Sequence, residues 1–186
     1  GPILSKKIIN NKNFEKSNNL RNFSIIVLGG SQGAEVFGQV VPEVIKMVKN
    51  RGYPIEIRQQ CISSQKNNIV DFYKKNNIKN YVFDFEDNIL DLILSSSIAI
   101  TRSGASSTAE LVHTLTPFVA IPLPNSIDNH QYLNAKYYKD KGCCWIMEEK
   151  DFNISNLFNF IVETINDKNK LENIRRNMKS LYKNNV

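Results

Sequence analysis

Six short apolar runs recur along the chain, each separated from the next by room for one amphipathic segment: FSIIVL (23–28), IEIRQQ (55–60), YVFDF (81–85), SIAI (97–100), FVAIP (118–122) and CCWIM (143–147). Their length and their β-branched and aromatic residues predict strands, and most are apolar on both faces, as in a sheet covered on both sides. The segments between them, at about 34–50, 65–76, 87–95, 104–115 and 129–140, predict helices, and 154–182 predicts one or two closing helices. Strand and helix in alternation point to an α/β fold, a Rossmann-like doubly wound parallel sheet. Ligands of such a sheet sit in the crevice beyond the carboxyl ends of its strands. Residues 1–22, polar and without a sustained period, are expected to be a linker or leader, with one domain over 23–186.

Composition narrows this only a little. A length of 186 residues suits one well-buried domain, and 41% apolar with 23% charged residues is ordinary globular usage. The formal charge of +6 is scattered. Its densest cluster, Lys168, Lys170, Arg175, Arg176, Lys179 and Lys183, comes without an RNA-binding aromatic motif, so it is read as a solvated surface and no nucleic-acid partner is expected. Three cysteines, two of them the adjacent Cys143 and Cys144, have neither a disulfide framework nor a metal spacing, which suggests a reducing, cytoplasmic setting. No apolar run approaches the roughly 20 residues that span a bilayer.

The chemistry gathers in three predicted strand-to-helix loops. GGSQGA (29–34) follows the first strand and opens a helix, where glycines let a backbone approach an anion at unpaired N–H groups. It is neither a dinucleotide fingerprint nor a P-loop, and taken alone it does not separate a phosphate site from an ordinary glycine-rich turn. TRSGASSTAE (101–110) places Arg102, Ser103, Gly104, Ser106 and Ser107 at a helix start and Glu110 about two turns in. That spacing suits phosphates at the helix end and a carboxylate on ribose hydroxyls, and equally a Ser103 cap with Glu110 on the surface. In IPLPNSIDNHQYLNAKYY (121–138), Asp128 or Asn129 is a candidate cap, with His130 and Gln131 in the first turn facing the same crevice. Phe85, expected to end a strand, offers an aromatic face to a base or belongs to the core.

At these residues the chain resembles the MurG family of glycosyltransferases, which add N-acetylglucosamine to the undecaprenyl-linked muramyl-pentapeptide precursor of peptidoglycan. The matching motifs are GGSQGA, F-x-D-x-I over Phe85 to Ile89, TRSGA followed by Glu110, and D-N-H-Q-x-x-N-A over 128–135. The resemblance runs from about Phe23 to Tyr182 and implies the C-terminal, donor-binding half of a GT-B glycosyltransferase. It implies Glu110 on the uridine ribose and the backbone of Ser106 and Ser107 near the α-phosphate. Ser31, Gln32 and Gly33, with Arg102, Ser103 and Gly104, would line the diphosphate and sugar side. Phe85, the backbone of Glu86, and Ile89 would hold the uracil, and His130 and Gln131 the sugar hydroxyls.

The resemblance also implies an inverting transfer from UDP-N-acetylglucosamine to a lipid-linked acceptor, with neither metal nor other cofactor. The acceptor site belongs to the family's N-terminal domain, which has no counterpart in these residues. No catalytic residue is therefore expected in this chain, which should bind donor without transferring the sugar. Peripheral association with the cytoplasmic face of the bacterial inner membrane is expected of the full enzyme. Two other readings use the same motifs: a stand-alone donor-binding subunit with a membrane-bound partner, and another UDP-sugar enzyme of the same fold.

Overall fold

A computed structural model describes residues 22–30 and 34–183. The expected leader, apart from Asn22, and the site candidates Ser31, Gln32 and Gly33 lie outside the described residues. Six strands form one sheet: β1 Phe23–Leu28, β2 Ile55–Gln60, β3 Lys79–Phe83, β4 Ile98–Thr101, β5 Phe118–Ala120 and β6 Trp145–Ile146. Helices α1 Glu35–Asn50, α2 Ser63–Lys75, α3 Ile89–Leu94, α4 Ala105–His113, α5 His130–Asp140, α6 Ile154–Asn166 and α7 Lys168–Lys183 complete the domain. The sheet order is β3-β2-β1-β4-β5-β6 with every pair parallel, the doubly wound arrangement expected. The winding reverses between β1 and β4, and there the carboxyl ends of two adjacent strands open onto a crevice.

Side-chain alternation along the strands supplies both cores. Ile25 and Val27 of β1, Ile98 and Ile100 of β4 and Val119 of β5 pack with Phe37, Val41 and Ile45 of α1 and with Leu157 and Ile161 of α6. Ile26 and Leu28 of β1, Ala99 of β4 and Phe118 and Ala120 of β5 pack on the other side with Leu111 of α4, Ala135 of α5 and Ile174 and Met178 of α7. Strands apolar on both faces are what this double burial requires.

Three boundaries differ from the sequence expectation. β3 stops at Phe83, so Phe85 does not end a strand. The chain turns away at Asp84, whose carboxylate accepts from Ser63 Oγ at 3.0 Å, Lys66 Nζ at 3.1 Å and Phe85 N at 3.1 Å. In CCWIM only Trp145 and Ile146 pair with β5; Cys143 and Cys144 are buried just before the strand and pack as small apolar groups. Neither Asp128 nor Asn129 caps α5 through its side chain. Both are held left-handed, at φ 48° and 55°, and it is Ser126 Oγ that receives the N–H of Gln131 at 3.3 Å.

One buried polar cluster ties α1, α2 and β2 together. Gln59, fully buried, donates from Nε2 to Phe37 O at 3.4 Å and accepts the hydroxyl of the fully buried Tyr73. Removing that hydroxyl strands a carbonyl oxygen inside the core, so Tyr73→Phe should lower the unfolding free energy by roughly 1–3 kcal/mol. Denaturant titration of the two proteins, with equal slopes, measures the loss.

Candidate functional site

The parallel pairing of β1 with β4 brings two loops together. Leu28 lies opposite Thr101, and Arg102 N donates to Leu28 O at 3.1 Å, so Gly29–Gly30 and Arg102–Gly104 leave the sheet side by side. Gly30 has φ +77°, which side chains rarely adopt. Gly104, by contrast, has φ −64° and ψ 146°, and a Cβ built there meets no atom of the described residues within 4 Å. The fold therefore does not itself require glycine at 104, and the space above its Cα is open. Gly104 is the N-cap of α4, and Thr108 N returns to Gly104 O at 3.1 Å. The N–H groups of Ala105, Ser106 and Ser107 precede the first helical bond and remain available to an anion.

A cleft of about 660 Å³ opens over this junction, walled by Gly29, Gly30, Arg102, Gly104, Ser106 and Ser107 on one side and by Leu123, Ser126, His130 and Gln131 on the other. A second hollow of about 230 Å³ adjoins it, sharing Gly30 and Ser107, and is lined by Gln60, Phe85, Glu86, Ile89 and Glu110 among others. Glu110 is half-buried on α4, and no side-chain hydrogen bond or ion pair holds its carboxylate among the described residues. Burial alone pushes its pKa above the ordinary carboxylate value. Phe85 stands 76% exposed on the rim, an apolar ring without the burial a core residue would have. Its loop is fastened at both ends: Asp84, described above, is held down to a pKa of about 2 chiefly by Lys66 and Ser63. Glu86 accepts from Tyr81 Oη at 2.6 Å and from Asn88 N at 2.8 Å.

The structure thus brings together Gly104, Ser106, Ser107, Glu110, Phe85, Glu86, Ile89, His130 and Gln131 along one edge of the sheet. His130 Nδ1 meets the carbonyl of Ile127 at 2.7 Å. Because a carbonyl only accepts, Nδ1 carries the proton and Nε2 of the neutral ring is an acceptor. Gln131 Oε1 accepts from Leu123 N at 3.0 Å, leaving its NH₂ group as a donor. Two candidates differ from expectation. Ser103 does not line the cleft: it is fully buried, and its carbonyl receives Asn134 Nδ2 at 3.2 Å. Arg102 does reach the cleft wall, but its guanidinium is largely committed elsewhere. It donates to Ile121 O at 3.1 Å and Pro122 O at 3.4 Å, pairs with Glu149, and lies 5.1 Å over the Phe37 ring. Gln60 was not among the sequence candidates; its position as the last residue of β2, on the ligand edge of such a sheet, is the signal that would have pointed to it. Among the described residues no cluster of three or more His, Cys, Asp or Glu side chains could hold a metal ion.

Fold and cleft together define a Rossmann-like domain in which one helix N-terminus opens onto the cleft and a half-buried carboxylate lies about two turns along the same helix. Residues 24–185 match the glycosyltransferase family 28 C-terminal domain, and the chain belongs to that family. It is 35% identical over 178 residues, 95% of this chain and 49% of the relative, to the UDP-N-acetylglucosamine–N-acetylmuramyl-(pentapeptide) pyrophosphoryl-undecaprenol N-acetylglucosamine transferase of Pelagibacter ubique. The protein of the same name from Rickettsia bellii is 37% identical over 160 residues, 85% of this chain and 45% of that one. The chain spans about half the length of these curated relatives. Among solved structures, Acinetobacter baumannii MurG superposes with a TM-score of 0.74 at 23% identity, covering 86% of this chain and 46% of that one, a likeness of fold.

Two outcomes follow from the site itself. Gly104→Ala should leave the melting temperature within about a degree or two, since none of the described residues meets the new methyl, while weakening diphosphate binding at the helix end beneath it; scanning calorimetry and titration with inorganic pyrophosphate read the two effects separately. Glu110 carries a sign that can be checked. Its folded pKa lies above the unfolded one, so its contribution to stability is greatest at low pH and declines as pH rises through the carboxylate range. Glu110→Gln should therefore melt at or above the wild-type temperature at pH 7, with the difference closing near about pH 4.

Proposed function

We propose that this chain is the donor-binding half of an inverting glycosyltransferase that moves N-acetylglucosamine from UDP-N-acetylglucosamine to undecaprenyl-diphospho-muramyl-pentapeptide in peptidoglycan synthesis. The observation that carries the reading is Glu110, a desolvated carboxylate without a side-chain partner among the described residues. It lines a hollow with Phe85 and Glu86 while the free N–H groups of its own helix open onto the adjoining cleft. A ribose fits between such seats: its two hydroxyls donate to Glu110, its base lies toward Phe85 and its diphosphate toward Ser106 and Ser107. The names of the curated relatives supply the sugar and the acceptor.

In this reading the chemical task of the domain is to hold the leaving group. As the acceptor hydroxyl attacks the anomeric carbon, the bond to UDP breaks and negative charge grows on the diphosphate. The N–H groups at the start of α4 are already aimed at that position and need no reorganisation. His130 Nε2 and the Gln131 amide, one acceptor and one donor, orient the sugar hydroxyls. Arg102, held back by Glu149, serves to shape the loop and contributes its charge only at the cleft wall. The general base and the lipid-linked acceptor belong to the other half of the enzyme. No described helix is long and apolar enough to cross a membrane. In this reading the assembled enzyme works as a peripheral protein at the cytoplasmic face of the inner membrane.

Calorimetric titration of the chain with UDP-N-acetylglucosamine, UDP and UDP-galactose tests the reading. Binding should be strongest for the N-acetylglucosamine donor, and Glu110→Ala should cost roughly 1–3 kcal/mol of that affinity, the penalty for a lost hydrogen-bonding partner of a charged group. Equal affinity for UDP-galactose would favour a different UDP-sugar enzyme of this fold, and no binding of any UDP compound to the folded chain would refute the donor reading.

A further inference from the structure

The two seats of the cleft lie on separate loops, and one side chain spans them. Gln60 ends β2, the strand between β1 and β3. Its Oε1 accepts from Gly29 N at 3.1 Å and its Nε2 donates to Asp84 O at 3.4 Å. The backbone beneath it is fixed, since Gln60 pairs with Phe83 in the sheet and Cys61 N continues the ladder to Phe83 O at 2.9 Å. At the far end Asp84 is anchored to α2 through Ser63 and Lys66. At the near end the Gly29–Gly30 turn has no side chains of its own. Among the described residues the bond from Gln60 is the one side-chain hydrogen bond it receives. The two contacts also fix the amide's orientation, because only the oxygen can face an N–H and only the NH₂ a carbonyl.

We propose that Gln60 is a positioning residue for the nucleotide: it sets the spacing between the glycine turn that meets the diphosphate and the Asp84–Phe85–Glu86 loop that meets the base. This rests on the nucleotide reading given above and adds a residue to it. A ligand that bridges two seats gains its affinity from meeting both at once, and that gain depends on their separation. With the strut removed, each seat keeps its own affinity and the joint advantage shrinks.

The test compares uridine, inorganic pyrophosphate and UDP binding to the wild-type chain, to Gln60→Met and to Gln60→Glu, by NMR titration for the weak ligands and calorimetry for UDP. Methionine keeps the length without either hydrogen bond; glutamate keeps the acceptor for Gly29 but sets an oxygen against the Asp84 carbonyl, and carries the test if the methionine variant does not fold. Both variants should bind UDP roughly tenfold more weakly, Gln60→Met because both hydrogen bonds are lost and Gln60→Glu because its carboxylate repels the Asp84 carbonyl, with uridine and pyrophosphate affinities unchanged. Uridine weakened in the same proportion as UDP would make Gln60 a direct nucleoside contact and overturn the positioning role. Unchanged UDP affinity would overturn it as well. A wild-type chain that binds none of the three would remove the nucleotide reading, and the strut with it.

Discussion

The hydrogen bond from Arg102 N to Leu28 O is the last rung of the parallel pairing between β1 and β4, and the position of every other group in the cleft depends on it. Parallel strands need crossovers, and right-handed crossovers on opposite faces of the sheet send α1 and α4 to opposite sides. The loops that precede those helices therefore emerge together and diverge, leaving a gap between the described residues. A slip of one residue in this register would exchange the two faces of β4, placing Ile98 and Ile100 where Ala99 now fits. The same apolar pattern that builds two cores thus also fixes where the open helix end lies.

The site shows itself where local physics goes unsatisfied. Half-buried Glu110 is desolvated, and among the described residues no hydrogen bond or ion pair to its carboxylate compensates for that. Gly104 gives up side-chain packing at a backbone conformation any residue adopts. Asp128 and Asn129 sit consecutively in the left-handed region ahead of His130 and Gln131, a strain of order 1–3 kcal/mol each. Departures occur elsewhere too, at left-handed Asn77 and Leu115 and at the unpartnered Gln65 Oε1 and Arg175 Nε, but none of these residues lines the cleft or the hollow beside it. Departures gathered on one edge of one sheet are what a binding site looks like before its ligand arrives.

The sheet was legible because doubly buried strands announce themselves as apolar runs, and all six were found near their observed bounds. Their ends were less clear, because side-chain hydrogen bonds across the fold decide them: Asp84 stops β3 through Ser63 and Lys66, which lie some twenty residues earlier. The strand-to-helix junctions ahead of Glu110, His130 and Gln131 fall where the sequence places them, for the same topological reason. Arg102 and Ser103 show what composition cannot supply. A polar residue beside glycine looks like a ligand group in sequence, yet Ser103 turns inward and Arg102 is drawn off by Glu149, 47 positions later in the numbering of the chain. Gln60 was overlooked because it belongs to no motif and acts through two partners distant in sequence.

The commitment of Arg102 also bears on how the cleft attracts an anion. Among its described lining residues Arg102 is the one permanent cation, and Glu149 already compensates it. What remains is the start of α4, whose unpaired N–H groups act as roughly half a positive charge over the first turn. Such a field is short-ranged and directional, so it rewards an anion whose oxygens fall at the right positions more than it rewards charge alone. On the proposed nucleotide reading, discrimination then rests on geometry: a phosphate reaching the helix end, a ribose reaching Glu110 and a base reaching Phe85 must all belong to one molecule of the right length. Fixed spacing between the loops is therefore a condition of selectivity, and a cleft without a free cation depends on it more than one in which a mobile lysine or arginine could follow the ligand.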